Sequence, residues 1–582
     1  MDSGLWPAPF ESYNRTGFGG KRRDRTRRRI GMYDYVIVGA GSAGCVLAHR
    51  LSELDDVRIL LLEAGPPDRD RYIHMPVGFY KMTTGPLTWG YRTAPLGQAD
   101  DRQMIFPQGR VLGGGSSINA MVYTRGNPKD YDDWAGEEGC TGWSYAEILP
   151  YFRRAEDNER LVDRYHGSGG PLGVSDPVSP HELSKVFVRA AQEAGLPYNP
   201  DFNGERQEGC GLYQVTQRGA RRCSAAVGYL RPAMRGGKVT VLTGAQATRL
   251  LIEHGRAVGV EYARDGGGGL ETVRAEREVV VASGAIGSPR LLLLSGIGPA
   301  NELGAVGIAP VHDLPGVGRN LQDHIDVYVI SELSGPHSYD RHTRAHRMLW
   351  AGMQYALFRS GPVTSNLAEG GAFWYVDRDQ SAPDIQCHFL PGAGLEAGVP
   401  PLDGYGCTLN SCHLRPRSRG SVRLQSADPK FPPIIDPNYW VEPYDLEMSL
   451  RGFELAREIM AQPAFRPYVR REHQPGAEAK TRSDLEAYAR RFGKTDYHPV
   501  GTCKMGIDAQ AVVDPELRVR GIERLRVVDS SIMPRLISSN TNAASIMIGE
   551  KGADLIKGNR AEPLAAQSGG AAISWAQPGG TG

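Results

Sequence analysis

The chain has 582 residues and a mass of 63.4 kDa, and its 67 Lys and Arg against 66 Asp and Glu leave a formal net charge of +1. That balance argues against a bulk nucleic-acid or heparin binder, which carries a basic excess, and 40% apolar residues exclude disorder throughout. Glycine is the outlier: 73 residues without a collagen period, about one in eight where about 7% is usual, as expected of many tight turns and close backbone approaches to a ligand.

The eight cysteines stand singly, with no CxxC pair, so neither a disulfide scaffold nor a metal site is expected. No apolar run reaches the roughly 18 residues of a membrane span. Residues 1–31 carry eight basic and three acidic residues, with KRRDRTRRR from Lys21 to Arg29. They read as a solvated, disordered tail ahead of a folded chain that begins at Met32, with a nucleic-acid or membrane-surface arm as the alternative. No apolar stretch follows the arginines, as a secretory signal would need, and a cytoplasmic placement is expected.

Tyr35–Val38 is a β-branched, apolar run with the pattern of a buried parallel strand. Gly39-Ala40-Gly41-Ser42-Ala43-Gly44 follows, then helical spacing from Cys45 to Leu54, then a second buried strand, Val57–Leu62, ending at Glu63. This is a complete βαβ dinucleotide unit. Gly39 serves the tight turn, Gly41 the approach of a pyrophosphate and Gly44 close helix–strand packing, while Glu63 is placed to accept from ribose hydroxyls. The unit alone does not separate FAD from NAD.

Further on, Gly113–Ser117 is a run of glycines and serines framed by Val111, Leu112 and Ile118, a loop whose N–H groups can face an anion or a flavin edge. Val279–Ala282 reads as a strand that ends in Ser283-Gly284-Ala285, with a helix beginning at Pro289. Ile385–Leu390, Thr408–Leu414 and Gly420–Leu424 read as strands of an antiparallel sheet. Val527-Val528 ends a further strand at Asp529, which suits a cofactor contact or a helix cap.

Four blocks then carry a resemblance: GRVLGGGSSINAMVYTRG (109–126), GAIGSPRLLLLSGIG (284–298), YHPVGTCKMG (497–506) and VVDSSIMPRLISSNTNAASIMI (527–548). In sequence and order they resemble the glucose–methanol–choline (GMC) oxidoreductases, in their choline dehydrogenase-like and alcohol dehydrogenase branch, from about Met32 to Ile556. The resemblance implies an α/β fold. A Rossmann-like FAD domain (32–325, rejoined by 495–558) is interleaved with a substrate domain built on an antiparallel sheet with helices (326–494), and 559–582 form a second disordered tail. It implies FAD held by Gly39, Gly41, Ser42, Ala43, Gly44, Glu63, Ala64, Arg110, Gly114, Ser117, Asn119, Ala247, Ser283, Asp529, Thr541 and Asn542. Some relatives tether FAD through a histidine in the 113–119 loop. Ile118 stands at that place and cannot form the bond, so non-covalent FAD is expected.

By the same resemblance His498 is the base that takes the substrate's hydroxyl proton, and Asn542 fills the second catalytic position. An amide there can hold the substrate oxygen without competing for its proton. Substrate contacts are expected from Glu369, Trp374 and Tyr497, with Glu369 at the place where choline-oxidising relatives set an acid. The expected reaction is oxidation of a primary aliphatic or aryl alcohol to an aldehyde, with electrons passing to a quinone, another carrier or O₂. Choline oxidation and FAD-containing hydroxynitrile lyase chemistry are the alternatives. Asp496, two residues before His498, is expected to share its face if the segment is extended and to disfavour O₂ as acceptor.

Overall fold

The computed structural model describes residues 32–267, 269–396, 398–400, 402–559 and 561. The expected tails lie outside these residues, apart from Asn559 and Ala561. The chain opens with β1 (Met32–Val38), α1 (Ser42–Leu51) and β2 (Ile59–Leu62). A second layer is begun by α2 (Glu182–Glu193) and β3 (Gly209–Leu212). The first resumes with β4 (Val239–Leu242), β5 (Ala245–Glu253), β6 (Arg256–Arg264), β7 (Leu270–Val281) and α3 (Gly284–Leu294).

There follow β8 (Ile325–Leu333), α4 (Ala345–Phe358), β9 (Gly370–Trp374), β10 (Ile385–Leu390), β11 (Gly406–His413), α5 (Pro443–Met460) and β12 (Val469–Gln474). The chain then returns through β13 (Lys494–Thr495) and β14 (Leu525–Val527) to end in α6 (Asn542–Lys557).

Two seven-stranded sheets result. The first has the order β4-β2-β1-β7-β6-β5, with β14 added to β7. Its core pairs β4-β2-β1-β7-β14 are parallel, and β5-β6-β7 form an antiparallel meander at one side. A parallel core needs cover on both faces, which is why Val36, Ile37, Leu61 and Val279–Val281 are unbroken apolar runs with almost no exposure. Each such side chain contributes about 1.5–3 kcal/mol on burial. The second sheet is antiparallel, β12-β8-β11-β10-β9-β3, with β13 pairing β8. α5 and α2 pack on it, so β10 and β11 are buried at every position.

The structure departs from three local expectations. The second sheet draws β3 and the packing helix α2 from well before residue 326, because Leu183, Phe187 and Cys210 share an apolar cluster with Phe389 and Phe453. Residues 421–423 pair with 434–436 in a separate ribbon. α3 begins at Gly284, with Pro289 inside it. Pro289 lies past the first turn and leaves the Ala285 carbonyl without its helical N–H partner; the Thr502 hydroxyl donates to that carbonyl instead, at 2.5 Å.

Candidate active site

Gly39 follows β1 directly at φ +101, and a Cβ there would lie 2.4 Å from the Ala282 carbonyl oxygen. A Cβ on Gly44 would meet the Gly39 carbonyl at 1.9 Å, so α1 packs on β1 only because that residue is glycine. Gly41 differs: the nearest atom to its Cβ position is 3.9 Å away, and it lines a cavity with Gly39, Ser42 and Ala43. No acid stands in the first turn of α1, so its N–H groups and positive dipole end are left for an anion. Glu63, Ala64, Ala247, Ser283 and Asp529 line the same cavity. Glu63 accepts from the N–H groups of Ala40 (3.0 Å) and Gly65 (2.7 Å), and burial raises its pKa to about 7. These walls fit an adenosine diphosphate group.

Gly114, Gly115, Ile118 and Asn119 continue the lining, with Gly114 at φ +51 set against the Gly41 backbone. Asn119 Oδ1 is held by Arg222 Nη1 (2.7 Å) and the Met121 N–H (3.1 Å). Ser117 instead turns inward to donate to the Leu112 carbonyl (2.6 Å). Arg110 lies over the Trp89 ring (5.3 Å) and pairs with Asp265 (3.2 Å). Asp529 both faces the cavity and caps: it accepts from the N–H groups of Gly284 (2.9 Å) and Ser531 (2.8 Å) and from Ser288 Oγ (2.5 Å).

At the far end stand Tyr497, His498, Asn540, Thr541, Asn542, His388, Glu396, Asn410 and Asp496. Here the expected pairing of His498 with Asn542 is corrected. Asn540 Nδ2 lies 3.1 Å from His498 Nε2, whereas Asn542 begins α6 and its Oδ1 accepts from Ser42 Oγ at 2.7 Å. Asn540 Oδ1 accepts from Thr124 Oγ1 (3.1 Å) and Gln386 Nε2 (3.0 Å). Its orientation is thereby fixed, with the amide N–H groups toward His498. In an Asn-Thr-Asn run either asparagine satisfies the motif, and α6 starting at Asn542 decides between them.

The tautomer of His498 is fixed by a relay that sequence reading did not find. His324 Nε2 is 3.1 Å from the Leu414 carbonyl oxygen, which only accepts, so the His324 proton sits on Nε2 and Nδ1 carries a lone pair. His498 Nδ1, 3.0 Å from His324 Nδ1, therefore donates to it. His498 Nε2 is left with its lone pair beside Asn540 in the cavity. Burial, then the neighbouring His324, His388 and Lys494, push the His498 pKa well below the ordinary imidazole value. Asp323, next to His324, accepts from the His498 N–H at 2.7 Å. The signal available was the polar triplet Gln322-Asp323-His324 immediately before β8.

Asp496 Oδ2 is 3.3 Å from His498 Nδ1 and buried. The two meet because Tyr497 adopts φ +66, a left-handed bend rather than an extended strand. Burial raises the pKa values of Asp496 and Asp326 to about 7. Lys494 Nζ sits 2.6 Å from Asp326 and 3.2 Å from Glu396, and these carboxylates outweigh its own burial in keeping it charged. Asp326, His388, Cys412 and Asp496 converge closely enough for a metal ion, but Lys494 supplies the cation there.

Two expected substrate residues face elsewhere. Glu369 is fully buried and accepts from the His181 N–H (2.6 Å), Ser184 (2.8 Å), Tyr339 (2.8 Å) and Ser365 (2.5 Å). Trp374 ends β9 against the second sheet's core. Neither lines the cavity.

Comparison with known proteins agrees with this arrangement. Residues 33–326 and 416–549 match the GMC oxidoreductase family. The chain is 43% identical over 528 residues to alcohol dehydrogenase [acceptor] of Pseudomonas putida, covering 90% of this chain and 96% of that one. It is 42% identical over 539 residues to the mitochondrial choline dehydrogenase of Homo sapiens, covering 91% and 90%. The structure of pyridoxine 4-oxidase from Mesorbium loti is similar at 32% identity with a TM-score of 0.82, covering 91% of this chain and all of that one. With both halves of the fold and nearly the whole length accounted for, the chain belongs to the GMC oxidoreductases and is an oxidoreductase acting on CH–OH donors.

Proposed function

We propose that the protein oxidises a neutral primary alcohol to an aldehyde, with dissociable FAD and with a quinone or another carrier preferred over O₂. The observation that carries this reading is the bare His498 Nε2 beside the fixed Asn540 amide. FAD, when bound, supplies the hydride acceptor. The chain's residues do the rest. Asn540 donates an N–H to the substrate oxygen, and His498 Nε2 accepts the hydroxyl proton. A neutral base within hydrogen-bond reach makes hydride departure far easier, since it leaves an alkoxide rather than an alcohol. As charge develops on that oxygen, the Asn540 amide meets it without reorganising. The imidazolium that forms is stabilised by Asp496, 3.3 Å from Nδ1.

Relatives named as choline dehydrogenases support choline as the second reading. It stands lower because Glu369, the acid expected to face an ammonium group, is consumed by four donors away from the cavity. Ile118 lines the cavity where a tethering histidine would stand, which supports releasable FAD. Asp496 supports the acceptor reading above about pH 7, where it is ionised, because a negative carboxylate near the flavin disfavours the negative charge of superoxide.

The test is anaerobic addition of primary alcohols, choline and sugars with flavin absorbance followed, then reoxidation by a quinone or O₂. Primary alcohols should bleach the flavin fastest, and the quinone should outpace O₂ unless Asp496→Val is present. Flavin that keeps its colour with every alcohol, as a lyase would, overturns the reading.

A further inference from the structure

Among the described residues, α4 (Ala345–Phe358) is the helix that turns a run of large apolar side chains outward. Leu349 is 65% exposed, Trp350 67%, Leu357 74% and Phe358 72%, with Met348 and Met353 also open. The helix rests on the protein through Ala351 and Tyr355, one turn apart, and the Tyr355 hydroxyl donates to the Ala220 carbonyl at 3.2 Å. Leu349, Met353 and Leu357 recur every four residues on the opposite side, with Trp350 beside them. Soluble surfaces scatter exposed apolar residues singly; a contiguous strip marks an interface.

Its charges say what covers it. From Arg341 to Arg359 there are four arginines (Arg341, Arg344, Arg347 and Arg359), with His342 and His346 and no Asp or Glu. Basic residues stand at both ends of the apolar strip. A second copy docking through the same face would bring arginines against arginines whichever way the two helices ran, since a two-fold interface uses one patch twice. A surface with fixed negative charge over hydrocarbon meets both features at once. Fourteen residues make a helix of about 21 Å, shorter than the roughly 30 Å hydrocarbon core, and no described helix is long and apolar enough to cross a membrane. Such a helix lies along the interface.

We infer that α4 is a monotopic docking helix that seats the protein on an anionic lipid bilayer, with Leu349, Trp350, Met353, Leu357 and Phe358 among the acyl chains and the flanking arginines at the headgroups. An in-plane helix with Trp, Phe and Leu on one side and basic residues around it binds by the apolar area it inserts plus attraction to anionic lipid. The position also has a use. The turn Pro362–Thr364 that follows α4 packs against Pro76–Lys81, whose Phe79 lines the cavity. Seated this way, that wall of the cavity turns toward the membrane, where long-chain alcohols and lipid-soluble carriers partition. The docking itself does not depend on which substrate or acceptor is used.

The test uses the full FAD-loaded chain and vesicles of phosphatidylglycerol with phosphatidylcholine, against vesicles of phosphatidylcholine alone. Sedimentation with the anionic vesicles should be strong and should weaken as salt is raised, because charges beyond about 8 Å are screened at physiological ionic strength. The combined variant Leu349→Ser, Trp350→Ser, Leu357→Ser, Phe358→Ser should lower the bound fraction more than about tenfold, and Arg344→Glu with Arg347→Glu should abolish the preference for anionic lipid. Both variants should keep the parent rate of alcohol oxidation with a water-soluble acceptor. Insertion has its own signature: brominated lipid should quench the parent's tryptophan fluorescence more than that of Trp350→Phe. Absent vesicle binding, or binding that survives the α4 substitutions because the Lys21–Arg29 run causes it, overturns the inference. So does a dimer in solution that the same substitutions disperse.

Discussion

His498 and Asn540 act through single atoms, so their contributions separate cleanly. His498→Ala should lower anaerobic flavin reduction by about 10² to 10⁴, the range for removing a general base. Asn540→Ala should lower it by about 10² to 10³, as loss of one pre-placed donor does. Asn542→Ala should leave most of that rate and weaken FAD retention instead, because its contact is Ser42 at the start of α1. Stopped-flow reduction together with flavin content after gel filtration distinguishes the three; equal rate losses for the two asparagine variants would contradict the placement. His324 is a positioning residue, and a pH profile shows it. In the parent, the acid limb of flavin reduction should lie below 6.5, since burial holds the His498 pKa down. In His324→Phe the acceptor left beside His498 Nδ1–H among the described residues is Asp496, at 3.3 Å. As pH falls through about 7, Asp496 takes up a proton and stops accepting. The variant should therefore gain an acid limb near 7 while binding FAD normally.

At the scale of elements, the first and last helices of the fold are fastened by one buried carboxylate. Glu550, in α6, accepts from Arg50 Nε (2.8 Å) of α1, from Arg154 Nε (2.7 Å) and from the Tyr229 hydroxyl (2.8 Å). Removing one partner of a buried ion pair leaves the others uncompensated, at a cost of about 3 kcal/mol or more. Glu550→Ala should thus lower the midpoint of denaturant unfolding and release flavin early, while the flavin still bound is reduced at the parent rate. Legibility in the sequence followed the same division. β1, the glycine turn, α1 and β2 could be read because strand burial, helix period and glycine all act within a short stretch. β10 was legible to its exact bounds for the same reason. What failed was non-local. Nothing near Glu369 tells that His181 and Ser184 from one distant segment and Tyr339 from another will join the nearby Ser365 in donating to it, and nothing near Gly209 tells that β3 belongs to the second sheet. The Asn540 assignment failed for a different cause: two asparagines two residues apart are equivalent until the first turn of α6 is placed.

For the molecule as a whole, the site is a seam. The wall that carries Gly39, Gly41 and Glu63 comes from the first strands, while His498, Asp529, Asn540 and Asn542 come from the last ninety residues. β14 closes against β7, and α6 closes against α1. A chain emerging from the ribosome therefore carries, for most of its synthesis, an unpaired strand edge on β7 and an uncovered apolar face on α1, with no complete berth for the cofactor. Flavin acquisition is deferred to the end of translation, and any product cut short before Asn540 is committed to quality control rather than to partial function. Arrested nascent chains ending near residue 520 should capture no flavin and should recruit chaperones. Release of the full-length chain into an FAD-containing extract should yield the coloured protein.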